Sequence, residues 1–321
     1  MKKLLATAAA LMCSTTFALA EGELQLFNWG DYTSPEMIAK FEAETGIKVT
    51  ITDYDSNDAA LAKIEAGGGG FDLVVPSANY VPIYVEKPLA YRVADLDEIM
   101  SLAAPIAERS VLGLMMRYHP AIRWLAGERP EAYGFYMEIG HDVRQWRQNW
   151  RFGDSYAAKP EGGGVLLDLC HEIDMAACLF PGLSIASVDC VGHENFPGID
   201  FATRITLARK GMTGTVAMDY LSPESIRRMS IRGRDEVLDL DLLGPSARHW
   251  RNGDSETKDW HFERNDMFLG LMSDFMALAE ARAPSDNPLL PRLDRVAEST
   301  RLTAEAWEAR NFHGTLKGGF A

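Results

Sequence analysis

The sequence predicts an α/β unit followed by an α+β unit: a truncated parallel βαβαβ lobe, then an α+β domain with a large open antiparallel-rich sheet covered by helices. Three observations predict it. Residues 24–75 alternate short apolar runs with two capped helical patterns, the order that builds a parallel sheet with helices on its faces. From residue 133 onward, alternating segments follow one another with turn residues between them, as an open antiparallel-rich sheet requires. Only residues 76–82 separate the strand-like "FDLVV" from "IYVE", whereas parallel neighbours need a crossover of about ten residues or more. Those two strands therefore form a tight hairpin, lie in separate sheets or are strained.

The chain has 321 residues, 47% of them hydrophobic and 24% charged, enough for two domains with cores of their own. It opens with "MKKLLATAAALMCSTTFALA": two lysines, an apolar run and Ala-Leu-Ala before Glu21. That is the pattern of a cleavable secretory signal over residues 1–20, cut after Ala20, and it predicts a periplasmic or secreted protein with no stable membrane insertion once the signal is gone. A buried N-terminal helix is the competing reading, and packing alone explains the charged start and small-residue end poorly. The formal net charge of −14 disfavours nucleic acid and anionic membranes, because a field of that sign repels phosphates. Outside the signal the cysteines are Cys170, Cys178 and Cys190, a set with neither a disulfide framework nor metal-ligand spacing, so no metal is expected.

The first lobe spans residues 21–80. "LQLFNW" is a short apolar strand; "SPEMIAKFEAETG" follows as a helix with Ser34 as N-cap, Pro35 at its first position, Met37, Ile38 and Phe41 on one face, and Gly46 as its stop. "IKVTITDY" alternates as a strand, "NDAALAKIEAGGGG" is a second helix ending in glycines, and "FDLVVPS" is a third strand. Ligands of such sheets bind at the carboxyl ends of the strands, which here carry "NWGDY" and "PSANY". Trp29 and Tyr32 offer aromatic faces, Asp31 a negative charge and Ser77 a hydroxyl, a set that suits an alkylammonium ion. Surface turn chemistry would account for the same residues. "FNWGDYTSPEMIAKFEAETGIKV" with "FDLVVPSANYV" resembles the N-terminal lobe of periplasmic putrescine/spermidine-binding proteins, and by that resemblance Trp29, Asp31, Tyr32 and Ser77 contact a polyamine. The resemblance covers about sixty residues and includes nothing of the second lobe that such proteins close over their ligand.

Residues 81–321 read differently. "PIYVEKPLA" puts an apolar strand before Glu86, Lys87 and Pro88, projecting Lys87 into a ligand crevice. "MMRYHP" is expected to end another strand with Arg117 and His119. "EGGGVLLDLCHEIDMAACLF" is expected to be a glycine run opening one helix, with Asp168, His171 and Asp174 on one side and Leu166, Leu169, Ile173 and Ala177 as its apolar stripe. Taken singly, each feature has a structural reading: a surface lysine, a hydrogen-bonded acid–histidine pair, a salt-bridged loop. Together and in this order, "EKPLA", "RYHP", the "W…SY…GGGVLLDL.HEID" block and "RNDMF…DFM" resemble the glucose–fructose oxidoreductase / inositol dehydrogenase (Gfo/Idh/MocA) family.

That resemblance implies NAD or NADP as cofactor and reversible hydride transfer at a carbinol carbon of a sugar or polyol. It implies Lys87, Asp168 and His171 as catalytic residues: His171 takes the hydroxyl proton, Lys87 polarises the oxygen, and Asp168 orients the substrate. Arg117, His119 and Tyr156 are the substrate-binding positions it suggests, and the open sheet leaves room for a homo-oligomer. Asp168 and His171 stand one residue closer than family members commonly have them. The G-x-G-x-x-G fingerprint of a dinucleotide cradle is absent: the first strand leads into "GDYTSPE", Gly67–Gly70 follow a helix, and Gly162–Gly164 belong to the substrate-domain motif. The expectation is a sugar or polyol oxidoreductase substrate domain impaired by loss of its cofactor cradle and fused to a polyamine-binding fragment. The alternative is a periplasmic putrescine/spermidine-binding protein of a transport system.

Overall fold

A computed structural model describes residues 22–30, 32–65, 70–75, 84–146, 151–280 and 282–319. The signal-like residues 1–20 lie outside them. The chain divides into two compact units, Met1–Ser77 and Ala78–Ala321. No helix among the described residues is long and apolar enough to cross a membrane.

The first unit runs β1 (Gly22–Trp29), α1 (Pro35–Thr45), β2 (Ile47–Tyr54), α2 (Asn57–Glu65) and β3 (Leu73–Val74), in a parallel sheet of order β2-β1-β3. Local sequence sets α1: the Ser34 hydroxyl accepts from the Met37 N–H at 3.1 Å, Pro35 occupies the first turn, and Gly46 ends the helix at a φ of 72°. The core is small. Phe27 stacks on Phe71 with centroids 4.3 Å apart and meets the edge of Tyr54 at 4.7 Å, while α1 buries none of its residues. Met37 and Phe41, the apolar stripe expected to pack, are exposed.

In the second unit β4 (Tyr84–Val85) pairs in parallel with β5 (Val111–Leu112), so β3 and β4 lie in separate sheets, one of the solutions open to so short a link. Between β4 and β5 lies α3 (Val93–Ala103). Here one expectation fails: "MMRY" is a 3-10 turn rather than a strand end, and His119 caps α4 (Pro120–Glu128) by accepting the Ala121 N–H on Nδ1 at 3.2 Å. A short apolar run before a capped Pro fits either state, and the cap won. β6 (Ala132–Gly140) then enters the large sheet, and α5 (Val165–Asp168) and α6 (His171–Leu179) cover it. They are two helices where one was expected. Leu169 leaves helical geometry at φ −102° and ψ 29°, so Asp168 ends α5 while His171 opens α6.

The remaining strands are β7 (Ser184–His193), β8 (Phe196–Arg209), β9 (Met212–Asp219), β10 (Ile226–Gly233), β11 (Glu236–Asp241), β12 (Ser246–Arg251) and β13 (Asp254–Asp259). After them come α7 (Arg264–Ala279), α8 (Ala297–Glu308) and β14 (Arg310–Leu316). The nine-stranded sheet has the order β13-β12-β11-β10-β6-β9-β8-β7-β14; only β6–β9 and β7–β14 are parallel pairs. Alternate residues of the central strands, among them Met137, Ile205, Val216 and Ile231, point into one core with Ile122, Leu166 and Ile173. Each such side chain contributes roughly 1.5–3 kcal/mol by leaving water.

The glycine run before α5 has a steric cause. Gly164 sits at φ +104°, and a Cβ there would overlap the Asp200 carboxylate. Asp200 accepts from the Leu166 N–H at 2.9 Å and pairs with Arg310 at 2.8 Å, tying α5 to β8 and β14.

Candidate active site

Three elements bring the predicted catalytic residues together. Lys87 follows β4, Asp168 closes α5 and His171 opens α6. The Lys87 ammonium donates to the Asp168 main-chain carbonyl at 2.5 Å and stands 3.6 Å from its Oδ1. Tyr156 donates to the same Oδ1 at 2.6 Å, and Tyr220, fully buried just past β9, donates to Oδ2 at 3.0 Å. Tyr156 was expected at the substrate; its ring is exposed and its hydroxyl holds the acid. Burial and the neighbouring Asp168 push the Tyr220 phenol well above its ordinary range, so it remains a donor. A carboxylate offers about four lone-pair positions, so Asp168 retains capacity for a substrate hydroxyl.

His171 is 7% exposed, and its buried Nδ1 has no hydrogen-bond partner. Burial, reinforced by the charges of Lys87, Arg227 and Arg264, drives its imidazole well below the usual histidine range. The imidazole is thus neutral at physiological pH, with its Nδ1 uncommitted. Glu172, the next residue, gives both carboxylate oxygens to Arg227 at 2.7 and 3.1 Å, and its burial raises its pKa. His141, after β6, is a second histidine whose buried Nε2 lacks a partner; burial lowers it too. Beside Lys87 a crevice is lined by Cys170, Asp174, Ser299, Thr300 and Thr303. Burial pushes the Cys170 thiol up to about 12, which leaves it unreactive.

Arg117 and His119 are placed differently from the expected substrate contacts. The Arg117 guanidinium clamps Asp174, with Nη2 at 2.7 Å and Nε at 3.0 Å, and reaches Ser299 at 3.3 Å. His119 Nε2 meets the Leu242 carbonyl at 3.3 Å while Nδ1 caps α4, and burial lowers its pKa to about 4. Both tie elements of the fold together in the interior. Asp174, expected beside Asp168 and His171, goes to Arg117 instead, because the break at Leu169 and Cys170 separates the two helices. Tyr220, Glu172, Arg227, Arg264 and His141 escaped the sequence reading. "HEID" holds Glu172 and "RNDMF" opens with Arg264, whereas Tyr220, Arg227 and His141 lie in or just after strands without a local signature.

In the first unit, Trp29 lies 4.9 Å from Tyr54 and 6.4 Å from Tyr32, centroid to centroid, at the carboxyl ends of β1 and β2. Asp31 and Ser77 lie outside the described residues. The β1–α1 turn does not fit a dinucleotide. Pro35 has no N–H to offer, the Met37 N–H is taken by Ser34, Glu36 adds a negative charge to the first helical turn, and Asn28 Nδ2 closes the turn on Thr33 Oγ1 at 2.8 Å.

No family model matches the chain. A putrescine-binding periplasmic protein of Escherichia coli (strain K12) is 47% identical over 76 residues, covering 23% of this chain and 20% of that protein. A putrescine-binding periplasmic protein of Pseudomonas aeruginosa (strain UCBPP-PA14) is 48% identical over 58 residues, 18% of this chain and 16% of that one. The chain thus spans about a fifth of the length of these curated relatives. Among solved structures, a mutant 3-ketoreductase from Actinomadura kijaniata, in complex with TDP-benzene and NADP, superposes with a TM-score of 0.66 at 15% identity, over 92% of this chain and 100% of that one. A UDP-N-acetylglucosamine 3-dehydrogenase from Acidithiobacillus ferrooxidans does so with a TM-score of 0.60 at 17% identity, over 90% and 97%. The chain has the fold of Gfo/Idh/MocA-like oxidoreductases, and stretches covering 18–27% of it are similar in sequence to putrescine-binding proteins.

Proposed function

We propose that residues 81–321 are the substrate domain of a Gfo/Idh/MocA-type sugar or polyol oxidoreductase, joined to a truncated polyamine-binding lobe over residues 21–80 and impaired in hydride transfer. The observation that carries this reading is the convergence of Lys87, Tyr156 and Tyr220 on Asp168, with neutral His171 three positions along the chain and its Nδ1 unpartnered. The reacting hydroxyl would lie in the field of the Lys87 ammonium and pass its proton to His171, while a neighbouring substrate hydroxyl donates to Asp168. Removing that proton is half of an alcohol oxidation; the other half needs a hydride acceptor. NAD or NADP supplies that in the family, but the closed β1–α1 turn has no place for its pyrophosphate, so the site binds and orients a polyol without completing oxidation.

Calorimetric titration of the full chain with myo-inositol and neutral hexoses tests this. Saturable binding by at least one of them, lost on Lys87→Ala or Asp168→Asn, is expected; no binding in the unsubstituted chain, or binding untouched by both substitutions, contradicts it.

A second reading rests on the Trp29, Tyr32 and Tyr54 rings: the first unit keeps polyamine affinity, in the periplasm where the relatives' names place those proteins. Micromolar putrescine binding, lost on Trp29→Ala, is its signature.

A further inference from the structure

The two phenols on Asp168 reach it from opposite surroundings. Tyr220 donates to Oδ2 at 3.0 Å from the core, with its ring wholly buried. Tyr156 donates to Oδ1 at 2.6 Å although it is 55% exposed. Oδ1 is also the oxygen nearer the Lys87 ammonium, 3.6 Å away, so a ligand hydroxyl lying beside Lys87 meets this oxygen. The Asp168 side chain is itself only 6% exposed. Its remaining lone pairs serve only a group that can reach them, and at Oδ1 the hydroxyl of an exposed residue already stands.

The backbone that carries Tyr156 is fixed. Its 3-10 turn, Tyr156–Ala158, follows buried Ser155, whose N–H and hydroxyl both donate to the Phe152 carbonyl, at 3.0 and 2.7 Å. Ala157 is wholly buried, and its carbonyl accepts from the Gly164 N–H at 2.9 Å. A Cβ on Gly163 would stand 2.4 Å from the Lys159 carbonyl oxygen and 2.6 Å from that of Ala157, so the turn and the glycine run are packed backbone to backbone. The part that can move without breaking these bonds is the Tyr156 side chain, by rotation to another staggered position about its Cα–Cβ bond. A ligand hydroxyl is the same kind of donor as the phenol, so replacing one by the other leaves the carboxylate satisfied, whereas an ether oxygen, which only accepts, cannot make the exchange.

We propose that Tyr156 is a clasp on the candidate site: its hydroxyl holds the place on Asp168 Oδ1 that a hydroxyl of the sugar or polyol takes, and its side chain rotates outward as the ligand binds. This rests on the substrate-domain reading above and identifies the donor that the ligand displaces.

The test uses the full chain labelled with 13C at the tyrosine Cζ, a nucleus sensitive to the hydrogen bonding of the hydroxyl. The Tyr156 signal, assigned by Tyr156→Phe, is followed while myo-inositol, glucose and galactose are titrated in turn, and calorimetry gives the half-saturation of each for both proteins. For a ligand that binds, the Tyr156 signal is expected to move saturably toward that of free tyrosine. Tyr156→Phe, which keeps the ring and removes the competing donor, should lower the half-saturation at least about fivefold, because the site is no longer held shut in most molecules. A tyrosine that merely orients Asp168 gives the opposite sign, weaker binding in the variant. A Tyr156 signal unmoved at saturation, or binding that Tyr156→Phe weakens or leaves unchanged, overturns this inference alone. Absence of saturable binding of all three ligands to both proteins overturns the inference and the substrate-domain reading together.

Discussion

The two units bury their apolar residues to very different extents. In the first, Phe27, Tyr54 and Ala60 are the buried cluster, and α1 presents Met37 and Phe41 to solvent although they share the face that ought to pack. In the second, one core runs across the nine-stranded sheet and takes in α4, α5 and α6, with Phe201, Ile205, Val216 and Ile173 wholly inaccessible. The difference teaches that well-formed local signals are not enough. The first unit has a capped helix, a glycine stop and parallel register, yet its short sheet leaves one helix uncovered.

The largest expected effect separates the units by stability. Phe201→Ala should cost about 3–5 kcal/mol in urea denaturation, while Phe41→Ala should cost less than about 1 kcal/mol. Comparable losses would show that the two units bury these rings alike. Next, Asp168→Asn withdraws the carboxylate from Lys87 and should destabilise the second unit by roughly 2–4 kcal/mol, less than a fully buried pair because Lys87 keeps 18% of its side chain in water.

A pH effect of similar or smaller size should also belong to the second unit. All seven histidines follow residue 118, so residues 22–77 contain none. His119 titrates at about 4 folded against about 6.5 unfolded, so between those values the unfolded chain binds more protons. Stability is fully present above about pH 6.5 and is lost as pH falls toward 4, on the order of 2–3 kcal/mol from this residue. His119→Asn, which can still cap α4, should flatten that slope in melts recorded between pH 4 and 7. The smallest effect probes the first unit: Ser34→Ala removes the α1 cap and should cost about 1 kcal/mol, read from far-UV circular dichroism during denaturation.

Much of the fold was legible because its strands alternate. "YGFYMEIG", "IASVDCVGH", "FATRITLA", "TGTVAMDYL", "IRRMSIRG" and "DEVLDLDL" all became neighbours in one sheet. The edge strand β13 carries no readable pattern because every residue of "DSETKD" is exposed, and β12 buries only Ala247 and His249 of its six residues. β14 is similarly exposed and pairs with β7 from over a hundred residues away. The continuous helix expected through Asp168 and Asp174 failed for another reason. Periodicity cannot see a one-residue departure at Leu169, and that departure sends Asp168 to Lys87 and Asp174 to Arg117. In the candidate site, motif neighbours single out Lys87, Asp168 and His171; Tyr220, which donates to Asp168, and Arg227, which pairs with Glu172, come to them through sheet register.

On the proposed reading the second unit keeps a polyol site while the described residues of the β1–α1 turn offer no cradle for the dinucleotide that a dehydrogenase needs. Fluorescence titration of NADH into the full chain tests that claim most directly. The expected signal rises linearly with added NADH, without saturation. A saturable change with a micromolar dissociation constant would contradict it, because the pyrophosphate would then have found donors that Ser34, Pro35 and Thr33 leave no room for in the β1–α1 turn.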